Sequence, residues 1–204
     1  APGDAATTEF LKRYEQAKRD GRVWLALDAS GSMVEPTATG ETRFAVAVEG
    51  VRKALTQMGA KDTYGLSVFN DDQVRQLVPL GRRDKEATTA ALATVRPSGG
   101  TPLHQAIIDA LDRIGPDDAD HVGAVIALTD GEDTTSAQTR QDVVDAVARK
   151  GVRVFVIAVG DASCAAHALT SITDASGGEC RDSTTDTLGD DLAALFRRVW
   201  GGVR

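Results

Sequence analysis

Three side chains that carry oxygen follow one apolar run of the sequence at every second position. Asp28, Ser30 and Ser32 occur in the stretch LALDASGSMVE, residues 25–35. Because Gly31 lets the chain turn freely between the two serines, all three side chains can point at a common centre. Oxygen groups in such an arrangement could bind a phosphate, supply a nucleophile or hold a hard metal ion.

Two further loops carry similar side chains beside predicted strands and helices. The sequence SGGTP, residues 98–102, precedes a predicted helix, and TDGED, residues 129–133, follows a predicted strand. Thr101 and Asp130 are the candidate ligands in these loops. The five candidates include no His, Cys or Lys, and an all-oxygen set suits Mg²⁺ or Mn²⁺, and Ca²⁺ less well, rather than zinc or copper.

The composition is that of a globular domain and disfavours nucleic acid as a partner. The chain has 204 residues, of which 42% are hydrophobic and 26% charged, and its net charge is -7. Binding to a phosphate backbone needs clustered Lys and Arg, which an acidic chain of this kind does not offer. No stretch approaches the roughly 18 to 20 apolar residues of a membrane helix, so we expect no direct membrane insertion. We expect a monomeric domain that could belong to a larger protein.

Predicted strands and helices alternate along the chain. The strands are expected at 22–28, 63–70, 73–80, 121–130, 152–160 and 177–182, and the helices at 7–20, 43–58, 84–95, 103–114, 139–150, 165–175 and 187–200. This alternation predicts an α/β, doubly wound, Rossmann-like three-layer sandwich. Its sheet would be six-stranded and mostly parallel, with helices on both faces. Pro79 places the strand at 73–80 at an antiparallel edge. Residues 1–20 would form a helical extension or linker before a domain at 21–204.

The fold predicts that the three loops meet. In open α/β sheets, ligands bind at the carboxyl ends of the strands, near the point where the strand order reverses. If the strands at 22–28 and 121–130 are neighbours, all three loops lie at one edge of the sheet. The D-x-S-x-S spacing alone carries little information, but its position beside two matching loops makes the constellation specific.

The motifs LDASGSM, SGGTPL and ALTDGED resemble the metal-ion-dependent adhesion site of the von Willebrand factor type A domain family, which includes integrin I domains. The resemblance covers about residues 21–200, in the order of the elements, and all five motif positions are filled. It implies that Ser30, Ser32 and Thr101 reach the ion through their hydroxyls. It also implies that Asp28 and Asp130 bind the ion directly or through water.

By this resemblance, the chain is expected to be a non-enzymatic protein-binding module. A Glu or Asp of the partner would complete the coordination of Mg²⁺ or Mn²⁺. Neutral hydroxyls leave much of the ion's charge uncancelled, and an open position then favours an anionic ligand. The expected location is extracellular or at the cell surface. The alternative is a cytoplasmic subunit of an AAA-type ATPase or chelatase assembly.

Simple capping is the structural alternative for the same residues. Asp28, Ser30 and Ser32 could cap a turn or the start of a helix, since Asp and Ser do so in many proteins. Thr101 before Pro102 has the sequence of an ordinary helix N-cap followed by proline. Capping and metal binding do not exclude each other.

Two enzyme classes and a cofactor-binding domain fit the sequence less well. An aspartyl-phosphate phosphatase would use Asp28 as nucleophile, but Ser30 stands where the dehalogenase-like pattern has a second aspartate. A serine hydrolase would pair Ser30 or Ser32 with His104, but residues 28–32 do not match G-x-S-x-G. No glycine-rich phosphate-binding motif follows any predicted strand.

The remaining expectations concern the rim of the site and the cysteines. Met33, Glu35, Glu132 and Asp133 are expected as solvated loop residues and His104 as a partly exposed helix residue, while His121 should lie at the opposite edge and Trp24 in the core. Cys164 and Cys180 could form one disulfide or remain as two buried thiols. The predicted helix between them should separate them, unless the loop at Cys164 folds back over the last strand.

Overall fold

The computed structural model describes residues 20–160, 162–165 and 169–201, the last five of these by backbone only. The strands are β1 Asp20–Asp28, β2 Thr63–Asn70, β3 Gln73–Arg82, β4 His121–Thr129, β5 Arg153–Val159 and β6 Glu179–Ser183. The helices are α1 Arg43–Leu55, α2 Lys85–Ala93, α3 Leu103–Ile114, α4 Arg140–Lys150, α5 Thr170–Ser176 and α6 Leu188–Gly201. A short 3-10 helix spans Gly31–Val34. Apart from Asp20, which already belongs to β1, the helix predicted over 7–20 lies outside the described residues.

The six strands form one sheet in the order β3-β2-β1-β4-β5-β6. β3 pairs antiparallel with β2, and all other neighbours are parallel. The predicted sheet, including its antiparallel edge strand, is therefore confirmed. β1 and β4 are direct neighbours at the centre, and from this pair the chain runs outward in both directions. This is the reversal of strand order that the site prediction requires.

Helices cover both faces of the sheet, which explains why the central strands are apolar along their whole length. Along β1, Val23, Leu25 and Leu27 belong to one buried cluster, and Trp24 and Ala26 to the other. The first cluster includes the apolar stripes of α1 and α6, and the second those of α3 and α4. The alternation of side chains along a strand thus divides β1 between two cores.

The structure joins Cys164 to Cys180 in a disulfide with a Cα–Cα distance of 5.8 Å. β6 lies directly beside β5, so α5 returns the chain to the neighbouring strand. The expectation that this helix would separate the cysteines is wrong. The backbone N–H of Cys164 donates to the Asp182 carboxylate at 2.7 Å, which holds the loop over β6. α5 begins at Thr170, later than the predicted 165.

Across the described ranges, we find no helix that combines the length and the apolar character needed to span a membrane.

The ring of Trp24 packs directly on Gly65, its partner in the pairing of β1 with β2. A methyl group added to Gly65 would lie 2.3 Å from a carbon of that ring. We expect Gly65→Ala to destabilise the fold by about 1–3 kcal/mol, because an added methyl in a packed core forces its neighbours to move. Gly81→Ala on the edge strand is the matched control, since its nearest neighbour would be 3.8 Å away. Urea unfolding measures both, and equal stability of the two variants would contradict this packing.

Candidate metal site

Asp28 is the last residue of β1, and its side chain is fully buried. Its Oδ1 accepts the backbone N–H of Ser30 at 2.8 Å, and its Oδ2 accepts the hydroxyl of Thr129 at 2.6 Å. Burial raises the pKa of Asp28 from its ordinary value of 3.8 to about 6, although these hydrogen bonds oppose the shift and the charge of Asp130 adds to it. A carboxylate removed from water in this way is stabilised by a nearby positive charge.

The two serines connect the first loop to Asp130. The hydroxyls of Ser30 and Ser32 lie 3.1 Å apart, and Ser32 donates to Oδ1 of Asp130 at 2.6 Å. Ser30 precedes the short 3-10 helix, whose tight turn brings the two hydroxyls together. Asp28, Ser30, Ser32 and Asp130 therefore form one connected cluster, as the sequence predicts.

Thr101 lies in the SGGTP loop, which is hydrogen-bonded to both the DASGS loop and the loop that follows β4. The N–H of Gly31 donates to the carbonyl of Gly99 at 2.9 Å, which joins this loop to the DASGS loop. The N–H of Thr101 donates to the Thr134 hydroxyl at 2.8 Å, and the N–H of Thr134 donates to the Thr101 carbonyl at 2.9 Å. Its side chain is buried. Within the described residues, no hydrogen bond links the Thr101 hydroxyl to the other four candidates.

The start of α3 is capped by residues other than Thr101. Asp133 accepts the N–H of His104 at 2.7 Å, and Ser136 accepts the N–H of Gln105 at 3.0 Å. Side chains of the loop after β4 thus satisfy two of the N–H groups that this helix end leaves unpaired. The capping interpretation of Thr101 is wrong in this structure, which leaves its hydroxyl available for another role.

Sequence reasoning missed Arg43 as a component of the site. Its Nη1 lies 3.0 Å from Oδ2 of Asp130, and its Nη2 lies 2.9 Å from Oε2 of Glu35. Arg43 is the first residue of α1, and the start of a helix that follows β1 lies at the carboxyl edge of the sheet. The predicted helix start at residue 43 was therefore a signal that could have identified it.

Two of the rim expectations are wrong. Met33 is fully buried in the core, because the short 3-10 helix turns its side chain inward. Asp133 is mostly buried as the cap of α3, with only 12% of its side chain exposed. Glu35 and Glu132 are exposed, as expected. His104 is partly buried beside Asp133.

Two expectations away from the site are confirmed. His121 starts β4 at the opposite edge of the sheet, where it contacts Asp118. Trp24 is buried, and its Nε1 donates to the hydroxyl of Ser67 at 3.0 Å.

The donor set fits a hard divalent cation. Two carboxylates and the hydroxyls of Ser30 and Ser32 form one cluster, and the buried hydroxyl of Thr101 lies in the adjoining loop. Oxygen donors of these kinds suit Mg²⁺ or Mn²⁺. The raised pKa shows that burial disfavours the charged form of the carboxylate. A bound cation would offset this cost by stabilising the negative charge.

Residues 23–132 match the family model described as von Willebrand factor type A domain. This match covers more than half of the 204 residues. The chain therefore belongs to the von Willebrand factor type A domain family. In many homologues this domain is a protein-interaction module.

Individual proteins are similar to the chain at lower identity. Uncharacterized protein YwmC of Bacillus subtilis (strain 168) is 26% identical over 136 residues, and the alignment covers 60% of each protein. The chain thus spans less than two thirds of that relative. A serine-substituted, aerotolerance-related membrane protein from Bacteroides fragilis NCTC 9343 superposes with a TM-score of 0.70 at 20% identity, covering 87% of this chain and 98% of that one. Pilus adhesin SpaC from Lactobacillus rhamnosus GG gives a TM-score of 0.70 at 16% identity, covering 90% and 31%. The two structures establish likeness of fold.

The buried carboxyl of Asp28 predicts a specific dependence of stability on pH in metal-stripped protein. Its pKa is about 6 in the folded state, above the ordinary value of 3.8, so the folded state binds this proton more tightly than the unfolded chain. The contribution to stability is full only below the unfolded pKa of 3.8 and is lost as pH rises through 6, by a total of about 3 kcal/mol. Asp28→Asn cannot titrate and removes this dependence.

Urea unfolding of both proteins between pH 4 and pH 7 measures the difference directly. We expect the wild type to lose stability relative to Asp28→Asn across this range. Parallel pH profiles of the two proteins would contradict the raised pKa.

Proposed function

We propose that this domain binds a protein partner through a divalent cation held by Asp28, Ser30, Ser32, Thr101 and Asp130. The observation that supports it best is the hydrogen-bonded cluster that joins the buried Asp28 loop to Asp130 through two serine hydroxyls. The cluster lies where the strand order reverses, as expected for a ligand site of an open α/β sheet. Mg²⁺ or Mn²⁺ is the ion that we propose, with Ca²⁺ less suited.

In this proposal, the five ligands are of two kinds, neutral hydroxyls and negatively charged carboxylates. The hydroxyls of Ser30, Ser32 and Thr101 are neutral ligands and cancel little of the ion's charge. Asp28 and Asp130 supply the negative charge, and their hydrogen bonds to Thr129 and Ser32 fix their orientation. The cation would supply an electrophilic centre, and a Glu or Asp of the partner would complete its coordination.

We further propose that the domain is not an enzyme. The neutral donors and buried carboxylates account for ion binding without a nucleophile. Ser30 and Ser32 bond to each other and to Asp130, whereas the ring of His104 faces the Gln138 carbonyl and Asp133. Among the described residues, neither serine therefore has a histidine base, as a hydrolase would require. Hydrolysis of a phosphate ester that is lost in Asp28→Asn would instead favour the aspartyl-phosphate alternative.

The disulfide favours an oxidising location. Such bonds persist in secreted and cell-surface proteins and are rare in the cytosol. We therefore propose an extracellular or cell-surface setting, with an intracellular AAA-type ATPase or chelatase assembly as the alternative. A membrane protein and a pilus adhesin among the structures of similar fold are compatible with the first setting.

Metal binding can be tested by titrating Mg²⁺ and Mn²⁺ into metal-stripped protein and measuring thermal stability and heat of binding. A ligand that binds only the folded state stabilises it by about 2.7 kcal/mol at one hundred times Kd. We expect this stabilisation in the wild type, its loss in Ser32→Ala and Asp130→Asn, and its retention in Asp72→Asn. Asp72 is an exposed carboxylate in the β2–β3 turn, so it controls for charge at the same edge of the sheet.

Absence of stabilisation in the wild type at millimolar Mn²⁺ would refute the metal site. Equal stabilisation of the wild type and Asp130→Asn would instead place the ion elsewhere. Once the ion site is established, partner binding should be abolished by EDTA and by Ser32→Ala, and should survive Asp72→Asn.

A further inference from the structure

Arg43 is held against the site by contacts at both its backbone and its side chain. Its backbone N–H donates to the Glu35 carbonyl at 3.0 Å, and its guanidinium contacts the carboxylates of Glu35 and Asp130. Pro36 and Thr42 form a β-bridge that folds residues 35–43 into a closed loop. Arg43 is therefore placed by the loop itself, and only 12% of its side chain is exposed.

The end of β5 leaves room for this side chain. A methyl group on Gly160 would lie 3.0 Å from Cζ of Arg43, so the guanidinium packs closely on the glycine backbone. Gly160 has a φ of +70°, which also favours glycine. Three elements thus enclose the cation of Arg43: the start of α1 and the carboxyl ends of β4 and β5.

The position of this charge changes the electrostatics of the site. The carboxylates of Asp28 and Asp130 would together balance a divalent cation, but Oδ2 of Asp130 already bonds to Arg43. Oδ1 of Asp130 faces the hydroxyl of Ser32 and remains directed toward the cluster. Because Arg43 is mostly buried, solvent screens its charge less than that of a surface arginine.

We propose that Arg43 is a built-in counter-charge, which offsets the charge of Asp130, weakens binding of the bare divalent cation and favours an anionic partner group beside the bound ion. This inference rests on the proposed metal site and adds a mechanism by which ion and acidic ligand bind cooperatively. A carboxylate arriving from outside replaces the negative charge that Arg43 neutralises. The ion alone would bind weakly, and the ion together with an acidic ligand would bind tightly.

The test compares Arg43→Gln with Arg52→Gln in otherwise unchanged protein. Arg52 lies on the same helix and pairs with the exposed Glu49, so its substitution changes net charge equally, away from the site. We expect Arg43→Gln to bind Mn²⁺ about tenfold more tightly by calorimetry, since a nearby positive charge is removed. We expect Arg52→Gln and Arg43→Lys to stay within about threefold of the wild type, because screening weakens distant charges and lysine keeps the charge.

Acetate serves as the probe for the second half of the proposal. Water-proton relaxation of protein-bound Mn²⁺ reports the water molecules that acetate displaces. We expect acetate to bind the Mn²⁺ complex of Arg43→Gln at least about threefold more weakly than that of the wild type, because a nearby positive charge is lost. Unchanged acetate affinity would overturn this part of the proposal.

Glu35→Gln provides an independent arm that does not depend on how well the arginine variant folds. The Glu35 side chain is 55% exposed and contacts Arg43. Removing its negative charge leaves Arg43 less neutralised, so we expect Mn²⁺ to bind about threefold more weakly. Unchanged or tighter binding in this variant would overturn the proposal.

The outcomes separate this inference from the proposed function. If the wild type binds Mn²⁺ and Arg43→Gln binds it equally or more weakly, the counter-charge is overturned and the metal site stands. If Mn²⁺ alone binds only to Arg43→Gln, the counter-charge stands, and failure of Mn²⁺ with acetate to bind the wild type would then overturn the proposed function. If neither the wild type nor Arg43→Gln binds Mn²⁺, the counter-charge and the proposed function are both overturned. If Arg52→Gln tightens Mn²⁺ binding as much as Arg43→Gln does, the effect is one of net charge and the role of Arg43 is overturned.

Discussion

The parallel pairing of β1 with β4 is the constraint on which the candidate site depends. Leu25 lies opposite Ile126 and Leu27 opposite Leu128, so both strands reach the carboxyl edge together. This register lets the hydroxyl of Thr129 bond to Asp28 across the strand boundary. Cores on both faces of the sheet fix the register, because a shift of one residue would exchange the inward side chains of each face.

The same burial that fixes the strands makes it costly to keep the carboxylates of the site charged. Asp28 accepts hydrogen bonds from Ser30 and Thr129, yet the loss of water still raises its pKa. Asp130 is partly compensated by Ser32 and by Arg43. The favourable packing of the central strands therefore offsets the free-energy cost of removing these charged groups from water. Such groups are typical of functional sites rather than of cores built only for stability.

Sequence periodicity was sufficient to predict the sheet, because buried parallel strands and amphipathic helices have distinct patterns of apolar residues. The five candidate residues could be placed at one edge since they end strands or begin helices. Arg43 was missed because its role depends on a long side chain that reaches another loop, and periodicity does not describe such reach. Asp133 and Met33 were misjudged for a related reason: loop residues were assumed to be solvated, although loops that cap helices bury their side chains.

Both edges of the sheet are unsuited to adding another strand. β3 pairs with β2 through an irregular register near Leu66 and carries Pro79, which cannot donate a backbone hydrogen bond. β6 has five residues, and the loop at Cys164 is bonded across it. Short, irregular or covered edges oppose the strand-to-strand association that leads to aggregation. The edges of this sheet therefore disfavour pairing with a second copy through backbone hydrogen bonds.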